Sequence, residues 1–168
     1  MENEIINKVA NSGLIQLDLE DLRPSGERVF FDLKPLLFQE LVLKEKDFRA
    51  FLGSHAWEEY TGKHVAVGCS SEAIIPTWAF MLVCIQLRPF AKTVVEGNLE
   101  NLESYLFKKA IEDLPLEKFV DGKIVIKGCS KESVPLSAYI DVTSALQPIA
   151  KSLFFGEPCS TVPLYKKK

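Results

Sequence analysis

The sequence predicts an α/β fold: a single layered domain with a mixed, mainly parallel sheet and crossover helices. Three observations lead there. Short runs of β-branched and aromatic residues alternate with segments of helical period along the chain. Strands and helices in that order tend to form parallel sheets joined by helical crossovers. A chain of 168 residues with 47% hydrophobic and 26% charged content is large enough to bury a core without disulfide staples.

Taken in order, "LIQLDLEDL" (14–22) reads as an N-terminal strand, antiparallel at an edge, and "ERVFFDLK" (27–34) as a strand of aromatic and β-branched character. "LKEKDFRAFLG" (43–53) reads as a helix, with Phe48, Phe51 and Leu52 on one face and Gly53 as its stop. Ser54 is placed to cap a short helix over "HAWEEY" that ends at Gly62. "KHVAVGC" (63–69) is a strand. "PTWAFMLVCIQL" (76–87) is apolar all round, which predicts a helix buried on most sides with Pro76 at its start. "AKTVVEG" (91–97) is a short strand. Residues 98–114 form an amphipathic helix with Leu102, Tyr105, Leu106 and Ile111 in its stripe and Asn98 as its cap. "GKIVIKGC" (122–129) is a strand. Pro135 starts a helix or leads into an extended "AYIDVT" (138–143), and "SALQPIAKSLFFG" (144–156) reads as helical. The expected organisation is one domain over residues 1–168, with 1–13 a flexible N-terminus and 164–168 a basic tail. The phrase glycine, lysine, β-branched run, Gly-Cys-Ser occurs at 62–70 and 122–130, a short internal echo.

A formal net charge of -3 argues against nucleic acid as a partner, which needs a clustered basic face. The longest apolar stretch, "AIIPTWAFMLVCIQL" (73–87), is too short to span a membrane, and the acidic, mixed N-terminus lacks the form of a secretory signal. The expectation is a cytoplasmic protein, so its four cysteines should be free thiols. A homodimer is the default oligomer.

Three of those cysteines open a Cys-Ser…Pro stretch: "GCSSEAIIP" (68–76), "GCSKESVP" (128–135) and "PCSTVP" (158–163). Cys69 and Cys129 directly follow expected strands, and ligands in open α/β sheets collect beyond the carboxyl ends of strands. Cys159 needs only to fold back over the same edge. Three converging thiolates repel one another unless a cation sits among them. The candidate site is therefore metal or cluster binding by Cys69, Cys129 and Cys159, for Zn or Fe or an iron–sulfur cluster. His55 is the first candidate for a fourth ligand, with Asp32 and Glu157 behind it. Two other readings stand beside it: a thiol-based sulfur-transfer or redox enzyme, and a non-catalytic interaction module. Spacings of 60 and then 30 residues between the cysteines match no short metal motif, and cysteine is often a small buried hydrophobe. Cys84, inside the most apolar helix, reads as core packing. His64 opens a strand and reads as a surface or turn residue, and Trp57 and Trp78 as core anchors. No Gly-x-Gly-x-x-Gly, phosphate loop or Gly-x-Ser-x-Gly frame is present.

The phrases "AIIPTWAFMLV", "VIKGCS" and "FGEPCSTVPLYKK" resemble an uncharacterised bacterial family carried as a domain of unknown function, over the chain from about residue 14 onward. The resemblance implies a small cytoplasmic protein of one domain. In that family the gene often lies near genes of the Suf iron–sulfur assembly system. The resemblance thus implies iron, sulfur or cluster handling for Cys69, Cys129 and Cys159, with iron–sulfur assembly proteins as partners.

Overall fold

The computed structural model describes residues 6–8, 13–127, 133–157 and 160–168. Its elements in chain order are β1 (Ile6–Lys8), β2 (Leu14–Leu17), β3 (Arg28–Asp32), α1 (Glu45–Ser54), β4 (His64–Gly68), α2 (Thr77–Leu87), β5 (Thr93–Glu96), α3 (Leu99–Glu112), β6 (Lys123–Ile126), α4 (Leu136–Leu146), β7 (Ser152–Glu157) and β8 (Ser160–Lys166). Short 3-10 turns lie between them. The chain clusters into two compact units. One, Ser25–Tyr105, is inserted into the other, which combines Met1–Pro24 with Leu106–Lys168. The division falls inside α3.

The inserted unit holds a three-stranded parallel sheet in the order β3-β4-β5. The split unit holds five strands in the order β1-β2-β6-β7-β8. There β2, β6 and β7 run parallel, and β1 and β8 pair antiparallel at the two edges. The α/β class with a mixed, mainly parallel sheet is thus as the alternating pattern predicts. Among the described residues no helix is long and apolar enough to cross a membrane.

The two units are copies of one plan. A shift of 59 residues carries α1-β4-α2-β5 onto the end of α3, β6, α4 and β7. His64 pairs with Thr93 as Lys123 pairs with Ser152. Gly62 N–H donates to the Phe90 carbonyl as Asp121 N–H donates to that of Ile149. Phe48 and Phe107, Val83 and Val142, and Leu87 and Leu146 are fully buried pairs. Gly97 and Gly156 close the copies with φ of 120° and 121°. The first strand of each copy follows a different shift, of 14, because the inserted unit separates β2 from the rest of its own copy. Leu17 opposes Ile126 as Phe31 opposes Val67.

Each unit buries its own apolar cluster. Phe31, Leu33, Phe48, Val65, Val83 and Leu87 lie in one; Leu17, Leu19, Phe107, Ile124, Val142 and Leu146 lie in the other. The helices facing these cores carry apolar residues of increasing size at intervals of four. Ala79, Val83 and Leu87 form the buried stripe of α2, and Ala138, Val142 and Leu146 that of α4.

Several expectations are corrected here. Helix α2 buries one face only: Met81 is 62% and Ile85 64% exposed. Cys84 is exposed with them and is not core packing. Its stretch is apolar around the whole helix, so composition concealed which face lies inside. His64 is 4% exposed, not a surface residue, because its ring hydrogen-bonds at both nitrogens. Pro135 does start a helix, with "AYIDVT" helical and not extended. Residues 144–156 divide between the end of α4 and strand β7, with Pro148 in the turn between them. β2 is not an edge strand: it lies between β1, to which it is antiparallel, and β6, to which it is parallel. Gly53 and Ser54 lie inside α1, where the Ser54 hydroxyl bonds back to the Ala50 and Phe51 carbonyls rather than capping the next turn. Tyr105 is 40% exposed, off the buried stripe of its helix. Asn98 does cap α3: its Oδ1 accepts from the N–H groups of Glu100 and Asn101. Leu164–Lys166, expected as tail, lie within β8.

Candidate functional site

In both units the first strand ends in an aspartate that begins a 3-10 turn. Asp18 Oδ1 accepts the Glu20 N–H at 3.0 Å, and Asp32 Oδ1 accepts the Lys34 N–H at 3.0 Å. An aspartate is suited to this place because its short side chain reaches the backbone two residues on. The remaining valences of the two carboxylates are filled differently.

In the inserted unit Asp32 takes Ser70. The Ser70 backbone N–H donates to Oδ1 at 2.9 Å and its hydroxyl to Oδ2 at 2.5 Å. Burial alone would raise the Asp32 pKa. The hydrogen bonds from Ser70 and Lys34, with the Lys34 charge, outweigh it and hold the carboxyl below its ordinary value of 3.8. Cys69 lies just before Ser70, beyond the end of β4. It is half-buried against the apolar cluster, with Sγ 3.2 Å from the Ser71 hydroxyl.

In the split unit Asp18 Oδ2 takes the Lys127 ammonium at 2.7 Å. The hydrogen bond and the charge of Asp18 together raise the Lys127 pKa, and Glu157 and Asp21 add to the effect. The carboxyl ends of β2, β6 and β7 therefore gather Asp18, Asp21, Lys127 and Glu157. Burial and the neighbouring Asp18 charge push the Asp21 carboxyl up.

The expected ligands fall as follows. Cys69 is at the carboxyl end of β4, as anticipated. Cys129 and Cys159 lie outside the described residues. His55 sits among the rings of Phe31, Phe51, Trp57 and Tyr60, at 4.7 Å from Trp57, with Nε2 3.3 Å from the Tyr60 hydroxyl. Its described contacts are these four aromatic side chains. Asp32 is occupied by Ser70. Among the described residues no group of three His, Cys, Asp or Glu side chains is placed to hold a metal ion.

The echo of Gly-Cys-Ser is 60 residues long, whereas the copies superpose at 59. Gly68 therefore corresponds to Lys127, which is why Asp18 meets an ammonium. By count along the chain Cys129 is the counterpart of Ser70, not of Cys69. Sequence reading missed the Asp32–Ser70 pair, whose members are 38 residues apart; the Asp-Leu following each first strand was the available signal.

Fold and site define a duplicated α/β protein with polar groups and the Cys69 thiol beyond the carboxyl ends of parallel strands. The model of a family described as protein of unknown function, DUF2480, matches residues 3–167, and the chain belongs to that family. No curated protein and no solved structure matches it.

Proposed function

We propose that this protein is a Zn- or Fe-binding, iron–sulfur-associated accessory protein that works through cysteines beyond the carboxyl ends of its parallel strands. The observation carrying the reading is the pairing of β6 with β7. These are parallel neighbours, with Ile126 opposite Phe155. The chain leaving β6 reaches Cys129 three residues later, and the link from β7 to β8 contains Cys159 between Glu157 and Ser160, which pair across the hairpin. Two cysteine-bearing segments of the sequence thus follow the same end of adjacent strands, with the Glu157 carboxylate at the end of β7 as an oxygen ligand.

Thiols lose their protons on binding a divalent cation, so the affinity should rise with pH. Zinc accepts sulfur and carboxylate ligands together in a tetrahedral shell. The gene neighbourhood that the family resemblance implies, near Suf assembly genes in bacteria, supports iron–sulfur assembly proteins as partners and the cytoplasm as location. A homodimer belongs to the same reading.

The test is elemental analysis of protein purified without oxygen or chelator. About one equivalent of Zn or Fe per chain is expected, lost in Cys129→Ser and in Cys159→Ser. Less than roughly 0.1 equivalent in folded wild-type protein would refute the reading. Cys69→Ser separates a site of two thiols, which keeps the metal, from one of three, which loses it. A thiol-enzyme reading rests on Cys69 alone, half-buried beside the Ser71 hydroxyl. It requires Cys69 to alkylate faster than the exposed Cys84.

A further inference from the structure

At the other end of the split unit's sheet a cavity of about 720 Å³ opens over the first residues of β2, β6 and β7. Four lysines line it: Lys123, Lys151, Lys166 and Lys167. Among the described residues only Lys167 has an acidic partner, Asp121 at 3.1 Å, and both are exposed. Four lysines around one cavity with an apolar wall give it a positive potential that favours a bound anion. This clustering occurs in a chain whose net charge is -3. The wall beneath the lysines is formed in part by Phe154 and Tyr165.

A second observation points into the same space. Ser152 lines the cavity, and its hydroxyl, open to that space, makes no hydrogen bond among the described residues. The other copy shows what a partner there looks like. Thr93, the counterpart of Ser152, bonds through Oγ1 to His64 Nδ1 at 3.0 Å, while His64 Nε2 bonds the Ser25 carbonyl at 2.9 Å. In the inserted unit an imidazole fills the place over the hydroxyl. In the split unit His64 is replaced by Lys123, which is exposed, and the space stays open.

We propose that this cavity binds a small organic anion, a carboxylate or phosphate carried on an apolar body. Lys123 and Lys151 take the charge, the Ser152 hydroxyl donates to an anionic oxygen, and the body lies against Phe154 and Tyr165. The site is at the amino ends of the strands and uses no cysteine, so it stands or falls separately from the metal reading.

Calorimetric titration of the full chain at low salt tests it, with phenyl phosphate, benzoate, inorganic phosphate and phenol as probes. Phenyl phosphate or benzoate should bind with Kd of about 1 mM or tighter, and whichever binds better identifies the headgroup. Inorganic phosphate and phenol should each bind at least about tenfold more weakly. Lys123→Ala with Lys151→Ala should weaken binding about tenfold or more, and Ser152→Val likewise, whereas Ser152→Thr should restore it. Lys118→Ala, a surface change elsewhere in the unit, should leave it unchanged. Thermal melts of each variant separate loss of the site from loss of the fold. The proposal is overturned if neither aromatic anion binds below about 10 mM, if inorganic phosphate binds as well as phenyl phosphate, or if the paired lysine variant binds like wild type.

Discussion

The inserted and the split unit share their apolar skeleton and part company at both ends of their sheets. Val65, Val83 and Leu87 of one copy and Ile124, Val142 and Leu146 of the other are all fully buried at matching positions. At the carboxyl ends, Asp32 holds a serine and Asp18 a lysine. At the amino ends, one copy seats a buried histidine on a threonine and the other leaves a lysine-lined cavity over a serine. Only the split unit has antiparallel strands on its edges. The lesson is that close packing restricts what the interior positions accept, whereas the strand ends meet water and are free to take different polar partners. Function in this fold is therefore to be sought at the ends, where the copies disagree.

The largest effect tests the shared skeleton. Leu87→Ala and Leu146→Ala each remove a fully buried side chain from the last turn of a helix. Each should cost about 3 kcal/mol in urea unfolding, within about 1 kcal/mol of the other. A loss confined to one of the pair would show that the two positions are not alike in packing.

The glycines that end β5 and follow the middle of β7 come next. Gly97 and Gly156 have φ near +120°, where an L side chain is strained, and an added Cβ would lie 2.4 Å from Asn101 Oδ1 or 2.6 Å from the Ser160 carbonyl oxygen. Gly→Ala at either should cost about 2 kcal/mol. Gly156→Ala should cost more, because its nearest atom is a strand carbonyl that cannot move, whereas at Gly97 the Asn101 Oδ1 and Cγ can turn away and only Asn101 Cβ, at 2.9 Å, stays. The same urea titration ranks them, and the reverse order would contradict the packing at β8.

Amino-end chemistry gives a smaller difference. His64→Leu leaves the Thr93 hydroxyl and the Ser25 carbonyl unpaired and should cost about 1–2 kcal/mol. Ser152→Ala removes a hydroxyl that bonds nothing among the described residues and should change stability by less than about 0.5 kcal/mol. Equal losses at the two sites would mean that Ser152 has a partner within the protein.

Much of this plan was legible in the sequence, and the rest was hidden for identifiable reasons. The β-branched run of residues 63–69 and the periodic stripe of residues 98–114 gave a strand and a helix close to their observed bounds. The alternation gave the parallel sheet. The duplication was hidden because its identities are sparse: Ala79 with Ala138, Val83 with Val142, Leu87 with Leu146, Pro89 with Pro148. The more conspicuous Gly-Cys-Ser echo runs one residue out of register with them. The insertion also removed β2 from its own copy. At the site, Cys69 could be placed beyond a strand because β4 is local. Asp32 with Ser70, or Asp18 with Lys127, required knowing which strands are neighbours, which periodicity does not specify. His64 was misread because a lone histidine at the head of a strand shows nothing of the carbonyl and hydroxyl that the fold brings to it.

The smallest effect separates the two aspartates by pH. Asp32 has a folded pKa below 3.8, so its carboxylate contributes fully above the unfolded value and the contribution is lost as pH falls through the folded one. The stability gap between wild type and Asp32→Asn should be level from about pH 5 to 9 and close in acid, below pH 3.8. Lys127 titrates in the opposite sense. Its folded pKa lies above 10.5, so its contribution is complete below that value and is lost as pH rises through the folded pKa. The gap between wild type and Lys127→Met should therefore persist through neutrality and close in alkali, above pH 10.5. The Lys127 side chain is 30% exposed, so solvent screening should hold its gap to about 0.5 kcal/mol. Asp32, bonded by two N–H groups and a hydroxyl, should show about 1 kcal/mol or more. Stability curves against pH for the two variants would distinguish a serine-held carboxylate from a lysine-held one. Closure of both gaps at the same end of the pH range would remove the difference between the carboxyl ends of the two units.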